Sequence, residues 1–189
     1  GKTLAALNAS MFAVDLSEQV GKRILKARRV LGARLIRHYC VAKGVAVAFN
    51  PIPIADLLAA AAIDAGMVMH LSNLYGLPLS RTEAGDLVKT IATQLALLMG
   101  TVWAVNLVSS AMKLGTGGLS TVLTGTAQGA VAYYSTYVVG QAAEAFLAHG
   151  KSWGESGPKQ VIQDILDSID RDSILAQARA DIAGRLKSG

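Results

Sequence analysis

The chain has 189 residues, enough for one domain with a sizeable core. Hydrophobic residues make up 52% of it and charged residues 16%. About a quarter of an ordinary globular domain is charged, so the composition is shifted toward buried or lipid-facing surface. The formal net charge is +5, and the single cysteine, Cys40, excludes an internal disulfide and fits a reducing compartment.

The positive charge is concentrated at the start of the chain. Residues 1–43 carry nine Lys and Arg against two acidic residues, residues 44–150 carry three against five, and residues 151–189 carry six against six. A basic segment ahead of an apolar one suits anionic phosphate, on lipid head groups or on nucleic acid. The first apolar run is short and is followed by a charged stretch, which is not the pattern of a signal peptide.

Almost every segment has helical periodicity, without the sustained alternation that is typical of strands. The sequence therefore predicts an all-α fold, a helical bundle of about six or seven helices. A short apolar helix is predicted over Lys2–Val14. Asp15 or Ser17 then caps a long helix, which ends near Phe49 because two prolines follow within residues 50–53.

The long predicted helix is amphipathic. Its apolar face consists of Val20, Ile24, Ala27, Leu31, Leu35, Tyr39 and Ala42. Its opposite face carries Lys22, Lys26, Arg29 and Arg37, the predicted contact for anionic head groups of a membrane. An acidic protein partner or an ordinary solvated face would give the same pattern. Nucleic acid is not an expected partner, because Tyr39 is the only aromatic residue of this helix before Phe49.

Turn signals divide the rest of the chain. Gly76 follows Tyr75 as the stop of the second helix, and Ser80 and Glu83 have the spacing of a capping box. Later helices are predicted over Arg81–Met112, Leu119–Ala148, Pro158–Ile169 and from a cap at Asp170 or Asp172 to Leu186. One domain thus has three regions: a basic arm (1–49), an apolar core (50–150) containing the hairpin 81–148, and an amphipathic C-terminal helix pair (151–189).

The hairpin is nearly free of charge. The 54 residues from Thr90 to Ala143 contain one charged residue, Lys113. Gly125 and Gly129 lie four residues apart and form a flat strip that another helix can approach closely. Such a hairpin is long enough to enter a bilayer, or it is the centre of a water-soluble bundle. Its glycines favour close contact with neighbouring helices, and its central polar residues make insertion into a bilayer less favourable. We therefore expect the hairpin to insert only with other helices packed around it.

Two acidic residues, Asp56 and Asp64, lie eight apart and share a face of an otherwise apolar helix. Charges are costly in such surroundings, so both are candidates for a buried polar track. A structural role is favoured for each. Asp56 lies in the first turn, where its charge suits the helix dipole, and Asp64 is expected to pair with a Lys or Arg of the basic helix.

The sequence carries no motif for catalysis or for a cofactor. His38, His70 and His149 have no second ligand at metal-binding spacing, and no nucleophile motif surrounds the serines. The segment 1–3 (GKT) lacks the rest of a phosphate-binding loop. We therefore expect no catalytic residue, no metal and no cofactor.

Two adjacent segments resemble a known family. Residues 50–58 (NPIPIADLL) and 67–76 (MVMHLSNLYG) are similar to the YcjF-type bacterial domain of unknown function. Residues 100–103 (GTVW), the Gly-rich turn 115–118 and the Pro158 helix resemble the form of that domain seen in cyanobacteria. The matching positions are Pro51, Pro53, Asp56, Tyr75 and Gly76. In that family the domain commonly follows an Era-like GTPase domain, and the proteins are thought to be membrane-associated. The resemblance implies the C-terminal part of a GTP-binding protein at the cytoplasmic face of a bacterial membrane, either thylakoid or plasma membrane.

These observations together predict a non-enzymatic, membrane-associating helical module, with an upstream GTPase domain as a partner. Two alternatives stay open. A soluble bundle would bind a protein partner or form a homo-oligomer through the small-residue strip. A carrier would hold an apolar ligand in a cavity lined by Ala and Gly.

Overall fold

The computed structural model describes the backbone of residues 1–49, 57–113 and 121–189, and the side chains of residues 1–49, 61–100 and 125–189. Within these ranges the chain forms six α-helices and no strand, which confirms the predicted all-α bundle. They are α1 (Lys2–Phe49), α2 (Leu57–Leu74), α3 (Arg81–Lys113), α4 (Thr121–Ala148), α5 (Gly157–Ser168) and α6 (Arg171–Lys187). The motif residues Pro51, Pro53 and Asp56 and the turn 115–118 lie outside the described residues.

The two helices predicted before residue 50 are one continuous helix, α1. The expected break near Asp15 was wrong, because no proline or glycine interrupts the helix there. Instead of capping a new helix, the Asp15 carboxylate accepts a hydrogen bond from the Gln19 side chain, one turn later, at 3.2 Å. Such a pair four residues apart stabilises a helix rather than ending it.

The bundle is organised around α1 and α4, which pack antiparallel and form the most extensive helix pair of the fold. A β-carbon at Gly129 would lie 2.5 Å from the backbone carbonyl oxygen of Gly44, and one at Gly125 would lie 2.5 Å from that of Ala48. The predicted small-residue strip is therefore a packing surface, and α1 of the same chain occupies it. Helices α3 and α4 also pack together, but among the described residues α4 contacts α1 more extensively than it contacts the other half of the predicted hairpin.

Local hydrogen bonds end α2 and begin α3 at the residues expected from the sequence. The N–H of Leu77 donates to the Ser72 carbonyl and that of Gly76 donates to the Asn73 carbonyl, the Schellman pattern that ends a helix. Gly76 has φ +69°, which favours glycine. The Ser80 hydroxyl then accepts from the N–H of Glu83 at 3.1 Å, which confirms the capping box.

Helix α3 is bent, which the sequence analysis did not predict. Gly100 has φ 64° and ψ 173° inside the helix, a conformation that is essentially restricted to glycine. The bend divides α3 into a first part that packs into the bundle through Ala84, Leu87 and Ile91, and a second part after Gly100.

The last two helices close the bundle. Pro158 lies in the first turn of α5, and Asp170 caps α6 by accepting a hydrogen bond from the Ser173 N–H at 3.3 Å. The inward face of α6 buries Leu175, Ala178 and Ile182. Buried side chains from all six helices join in one core.

Candidate functional site

Asp64 is part of a buried polar cluster that joins three helices. Its carboxylate accepts one hydrogen bond from the Lys43 ammonium of α1 at 2.7 Å and another from the Thr136 hydroxyl of α4 at 2.8 Å. All three residues are buried. Burying a charge is costly unless it is paired and hydrogen-bonded, and both conditions are met here. The predicted pairing of Asp64 with a basic residue of α1 is thus observed, and the partner is Lys43.

A second polar cluster joins α1 to α6. The Arg37 guanidinium donates to Asp181 through Nη2 at 3.0 Å and Nε at 3.4 Å, and the buried Tyr133 hydroxyl donates to the same carboxylate at 2.9 Å. Gln177 donates a further hydrogen bond at 2.9 Å. Burial alone would raise the pKa of Asp181, but the hydrogen bonds from Arg37, Gln177 and Tyr133 outweigh it and lower that pKa.

A third cluster lies where α1 enters the bundle. The Arg28 guanidinium lies over the ring of Tyr75, 5.9 Å from its centroid, and Gly76 leaves room for it. The Tyr75 hydroxyl and Oε2 of Glu144 are buried without a hydrogen-bond partner of regular geometry among the described residues. Burial raises the pKa of Glu144, although Tyr75 and Arg29 act in the opposite direction. Tyr75 and Gly76 are the positions of the family motif that the structure describes, and both contact Arg28 where α1 enters the bundle.

The first half of α1 extends beyond the bundle. The first residue of α1 that packs against the core is Leu25, and every side chain from Lys2 to Ile24 is exposed. Of the basic arm predicted over residues 1–49, only residues 2–24 project from the bundle, and the name arm is kept for them from here on. At about 1.5 Å per residue this arm is roughly 34 Å long. Eleven large apolar side chains of α1 are exposed, and they are Leu4, Leu7, Met11, Phe12, Val14, Leu16, Val20, Ile24, Val30, Leu31 and Phe49.

Seven of these apolar residues lie in two stripes on different faces of α1. Helical spacing places Leu4, Leu7, Met11 and Val14 on one face, in line with the Ile36 and Cys40 side chains that enter the core. The same spacing places Val20, Ile24, Ala27 and Leu31 on the opposite face, named here the outer stripe. Val20, Ile24 and Leu31 are 48%, 46% and 48% exposed, so about half of each apolar side chain lacks cover from this chain.

The four predicted basic residues divide into two groups. Lys22, Lys26 and Arg29 are exposed and follow one another at intervals of four and three residues, on the side of α1 opposite the outer stripe. Arg37 is also exposed to solvent, but its guanidinium is bound to Asp181. Three of the four therefore form an exposed basic face, in which Arg29 also acts electrostatically on Glu144, and the fourth belongs to the contact between α1 and α6.

Two further properties bear on the expected chemistry. No helix in the described parts of the chain is both long enough and apolar enough to cross a bilayer. Within the same parts, no three His, Cys, Asp or Glu side chains gather as ligands of a metal ion would. The Tyr39 hydroxyl and His70 Nδ1 form a hydrogen bond of 2.5 Å between α1 and α2, so His70 has a structural partner.

Comparison with known proteins gives one family. A family model described as a domain of unknown function (DUF697) matches residues 11–171. The chain belongs to the DUF697 family. The match includes the outer stripe, the exposed basic residues Lys22, Lys26 and Arg29 and all of α2 to α5, and it ends at the first residue of α6. No curated protein and no solved structure matches the chain.

Sequence reasoning missed several residues that the DUF697 fold brings together. Lys43, Thr136, Glu144 and Asp181 were not singled out, although Lys43 follows Ile36 and Cys40 at helical spacing. Besides Ile36 and Cys40, the buried positions of α1 are Gly32, Lys43 and Gly44, so this face gave a weak hydrophobic signal. Asp181 lies 144 positions after its partner Arg37, and Thr136 lies 72 positions after its partner Asp64. Only the fold makes such residues neighbours.

Proposed function

We propose that this DUF697 chain is a non-catalytic, membrane-associating helical module, and that α1 is its contact with lipid. The observation that carries the proposal is the exposed outer stripe, which lies opposite Lys22, Lys26 and Arg29 on a helix that extends beyond the bundle. An apolar face opposed by basic residues is the pattern of a helix that lies in the interface of an anionic membrane.

The magnitudes are sufficient for reversible binding. Full burial of a Val, Leu or Ile side chain contributes about 1.5–3 kcal/mol, so three half-exposed side chains of the outer stripe contribute roughly 2–4 kcal/mol. Each basic residue near an anionic surface adds about 1 kcal/mol. The sum describes peripheral attachment that weakens as salt screens the charges.

Vesicle flotation tests the proposal. We expect the wild-type chain to float with vesicles of mixed phosphatidylcholine and phosphatidylserine, less at high salt, and poorly with phosphatidylcholine alone. The triple variant Val20→Ser/Ile24→Ser/Leu31→Ser is expected to lose flotation on the mixed vesicles. Because all three side chains are exposed, its thermal midpoint in solution should stay close to that of the wild type.

A matched pair of charge variants separates a local basic face from overall charge. Reversal of Lys22, Lys26 and Arg29 to Glu should abolish flotation. Reversal of three exposed basic residues elsewhere, Arg81, Lys89 and Lys159, changes the net charge by the same amount and should leave most of the flotation. If both variants lose it equally, or if the wild type stays with the soluble fraction at every salt concentration, α1 is not a membrane contact.

The wider context is also part of this proposal. The likeness of the segments 50–58 and 67–76 to the YcjF-type domain supports a place beside an upstream GTPase domain, at the cytoplasmic face of a bacterial membrane. In this arrangement the neighbouring domain would bind GTP and the helical module would provide attachment. A protein with both parts should therefore bind GTP and float with anionic vesicles, and the outer-stripe variant should remove only flotation.

The other stripe favours homo-oligomerisation as a second candidate function. Leu4, Leu7, Met11 and Val14 are spaced by three, four and three residues, which is the spacing of a coiled-coil seam. They face away from the outer stripe, so one helix surface can meet lipid while the other meets a second copy. The strip Gly125–Gly129 is covered by α1 and is not open to such a contact. Light scattering of Leu7→Ser/Met11→Ser, compared with wild type over a range of concentrations, tests this arrangement.

A further inference from the structure

A groove with a polar end and an apolar end lies between α1 and α6. The polar end has a volume of about 320 Å³ and is lined by Arg34, Arg37, His38, Val41, Asp181 and Arg185. The apolar end adds about 170 Å³ and is lined by His38, Val41, Ala42, Val45 and Arg185. Three residues line both ends, so the groove is continuous.

The polar end has an excess of positive charge. Asp181 is its only carboxylate among the lining residues, and that carboxylate already accepts hydrogen bonds from Arg37, Gln177 and Tyr133. Among the described residues, neither the Arg34 nor the Arg185 guanidinium has a side-chain hydrogen bond or an ion pair. Arg37 and Asp181 cancel each other, which leaves two guanidinium groups facing the same cavity without an anion.

The groove lies on the same face of α1 as the outer stripe. Val20, Ile24, Ala27 and Leu31 continue as Arg34, His38, Val41 and Val45, with alternating intervals of four and three residues. This spacing keeps all eight positions on one side of a helix. When the outer stripe lies on a membrane, the groove opens toward the same surface.

We propose that this groove binds the phosphate group of an amphiphile, with the phosphate held between Arg34 and Arg185 and the hydrocarbon against Val41 and Val45. Guanidinium groups suit phosphate because their planar donors match its oxygens in pairs. Two positive charges also match the charge of a phosphate monoester. In taking the membrane as the source of the ligand, this inference rests on the proposed function, whereas the phosphate site itself does not.

Isothermal titration with a short-chain phosphatidate (dihexanoyl), which stays monomeric in water, tests the site apart from membrane binding. We expect saturable binding at one site per chain, and a loss of at least about tenfold in affinity for Arg34→Gln/Arg185→Gln. The control Arg81→Gln/Lys89→Gln removes two exposed charges outside the groove and should bind as wild type does. Arg37 is left intact, because its loss would unpair Asp181. Thermal melts confirm that both variants are folded.

Comparing the affinities of phosphatidate and inorganic phosphate identifies the source of the phosphate group. Binding of phosphatidate about tenfold tighter than inorganic phosphate would assign the groove to a lipid, because the apolar end contributes. Equal affinity would assign the arginine site to free phosphate. Absence of saturable phosphatidate binding, or equal binding by the Arg34→Gln/Arg185→Gln variant, would overturn the inference.

Flotation distinguishes failure of the groove from failure of the proposed function. The outer-stripe variant Val20→Ser/Ile24→Ser/Leu31→Ser should keep its affinity for monomeric phosphatidate and lose flotation. A wild-type chain that binds phosphatidate but never floats would refute membrane attachment through α1 and leave the groove intact. A chain that floats but does not bind phosphatidate would refute the groove alone.

Discussion

Lys43 and Asp64 show how a buried ion pair can hold three helices. The pair is 2.7 Å long, both side chains are 8% exposed, and Thr136 supplies a further hydrogen bond. Removing one partner leaves the other charge buried and unpaired, so Lys43→Met or Asp64→Asn should lower the free energy of unfolding by about 3–5 kcal/mol. Urea unfolding measures this change.

The double variant Lys43→Met/Asp64→Leu is the control for that pair. It replaces both charges with apolar groups of similar volume, and such replacements are often neutral. We expect most of the lost stability to return. If the double variant is as unstable as the sum of the single ones, the residues act independently and the ion pair is not the cause.

Glu144 and Asp181 should have opposite effects on the pH dependence of stability. The pKa of Glu144 is raised, so the stability it contributes is present below its ordinary pKa and lost as pH rises through the folded value. Glu144→Gln should therefore raise the melting temperature at about pH 8 and change it little in acid.

The pKa of Asp181 is lowered, so the stability that Asp181 contributes is present above its ordinary pKa and lost as pH falls through the folded value. Asp181→Asn should lower the melting temperature near neutral pH, with a shrinking difference in acid.

Thermal melts between about pH 3 and pH 8 compare the two variants with the wild type. The prediction concerns the sign of each difference and its change with pH. A stabilised Asp181→Asn at neutral pH, or a Glu144→Gln variant that is destabilised more in base than in acid, would contradict it.

At the scale of helices, the contact between α1 and α4 depends on glycines that bring two backbones together. A β-carbon at Gly129 would collide with the Gly44 carbonyl and would also lie 3.1 Å from the Ile182 side chain. Gly129→Ala should therefore lower the free energy of unfolding by about 1–3 kcal/mol. Gly85→Ala is the matched control on α3, since a β-carbon there meets nothing within 4 Å. It should raise stability by about 0.4–1 kcal/mol, because alanine loses less entropy in a helix. Chemical unfolding of both variants tests the contrast.

The same contact explains which parts of the fold the sequence could predict. Helix ends after residue 57 follow from local chemistry, such as the Schellman turn at Gly76, the Ser80 capping box and the Asp170 cap. Hydrophobicity marks the buried face of α1 only weakly, because Gly32, Lys43 and Gly44 lie on it beside Ile36 and Cys40. The stripe with the strongest apolar pattern, Val20–Leu31, is the one that the bundle leaves exposed. Close packing of small residues is a property of two helices together, and periodicity within one helix does not reveal it.

At the scale of the whole molecule, the candidate site combines two parts with different dependence on the bundle. The outer stripe and the exposed basic residues lie on one helix, so their pattern could be found in the sequence. The groove needs Arg34 of α1 and Arg185 of α6 on facing helices, 151 positions apart, and only the packed bundle brings them together. Since α1 runs without interruption from the outer stripe into the groove, a membrane contact along that stripe also fixes the direction in which the groove opens.

The difference between the projecting arm and the packed part of α1 predicts a contrast in amide hydrogen exchange along this helix. Residues 2–24 have backbone hydrogen bonds but no core contacts, and an isolated helix of this length is marginally stable in water. They should exchange fast, whereas residues 32–44, whose inward face is buried against α4, should be protected to the level of the core.

Anionic vesicles should slow exchange in the arm and leave exchange in α5, which lies elsewhere in the bundle, unchanged. The outer-stripe variant should show the same fast exchange with and without vesicles. Uniform protection of α1 in the absence of lipid would mean that the arm already has a partner, and the mass of the particle by light scattering would then show whether that partner is a second copy.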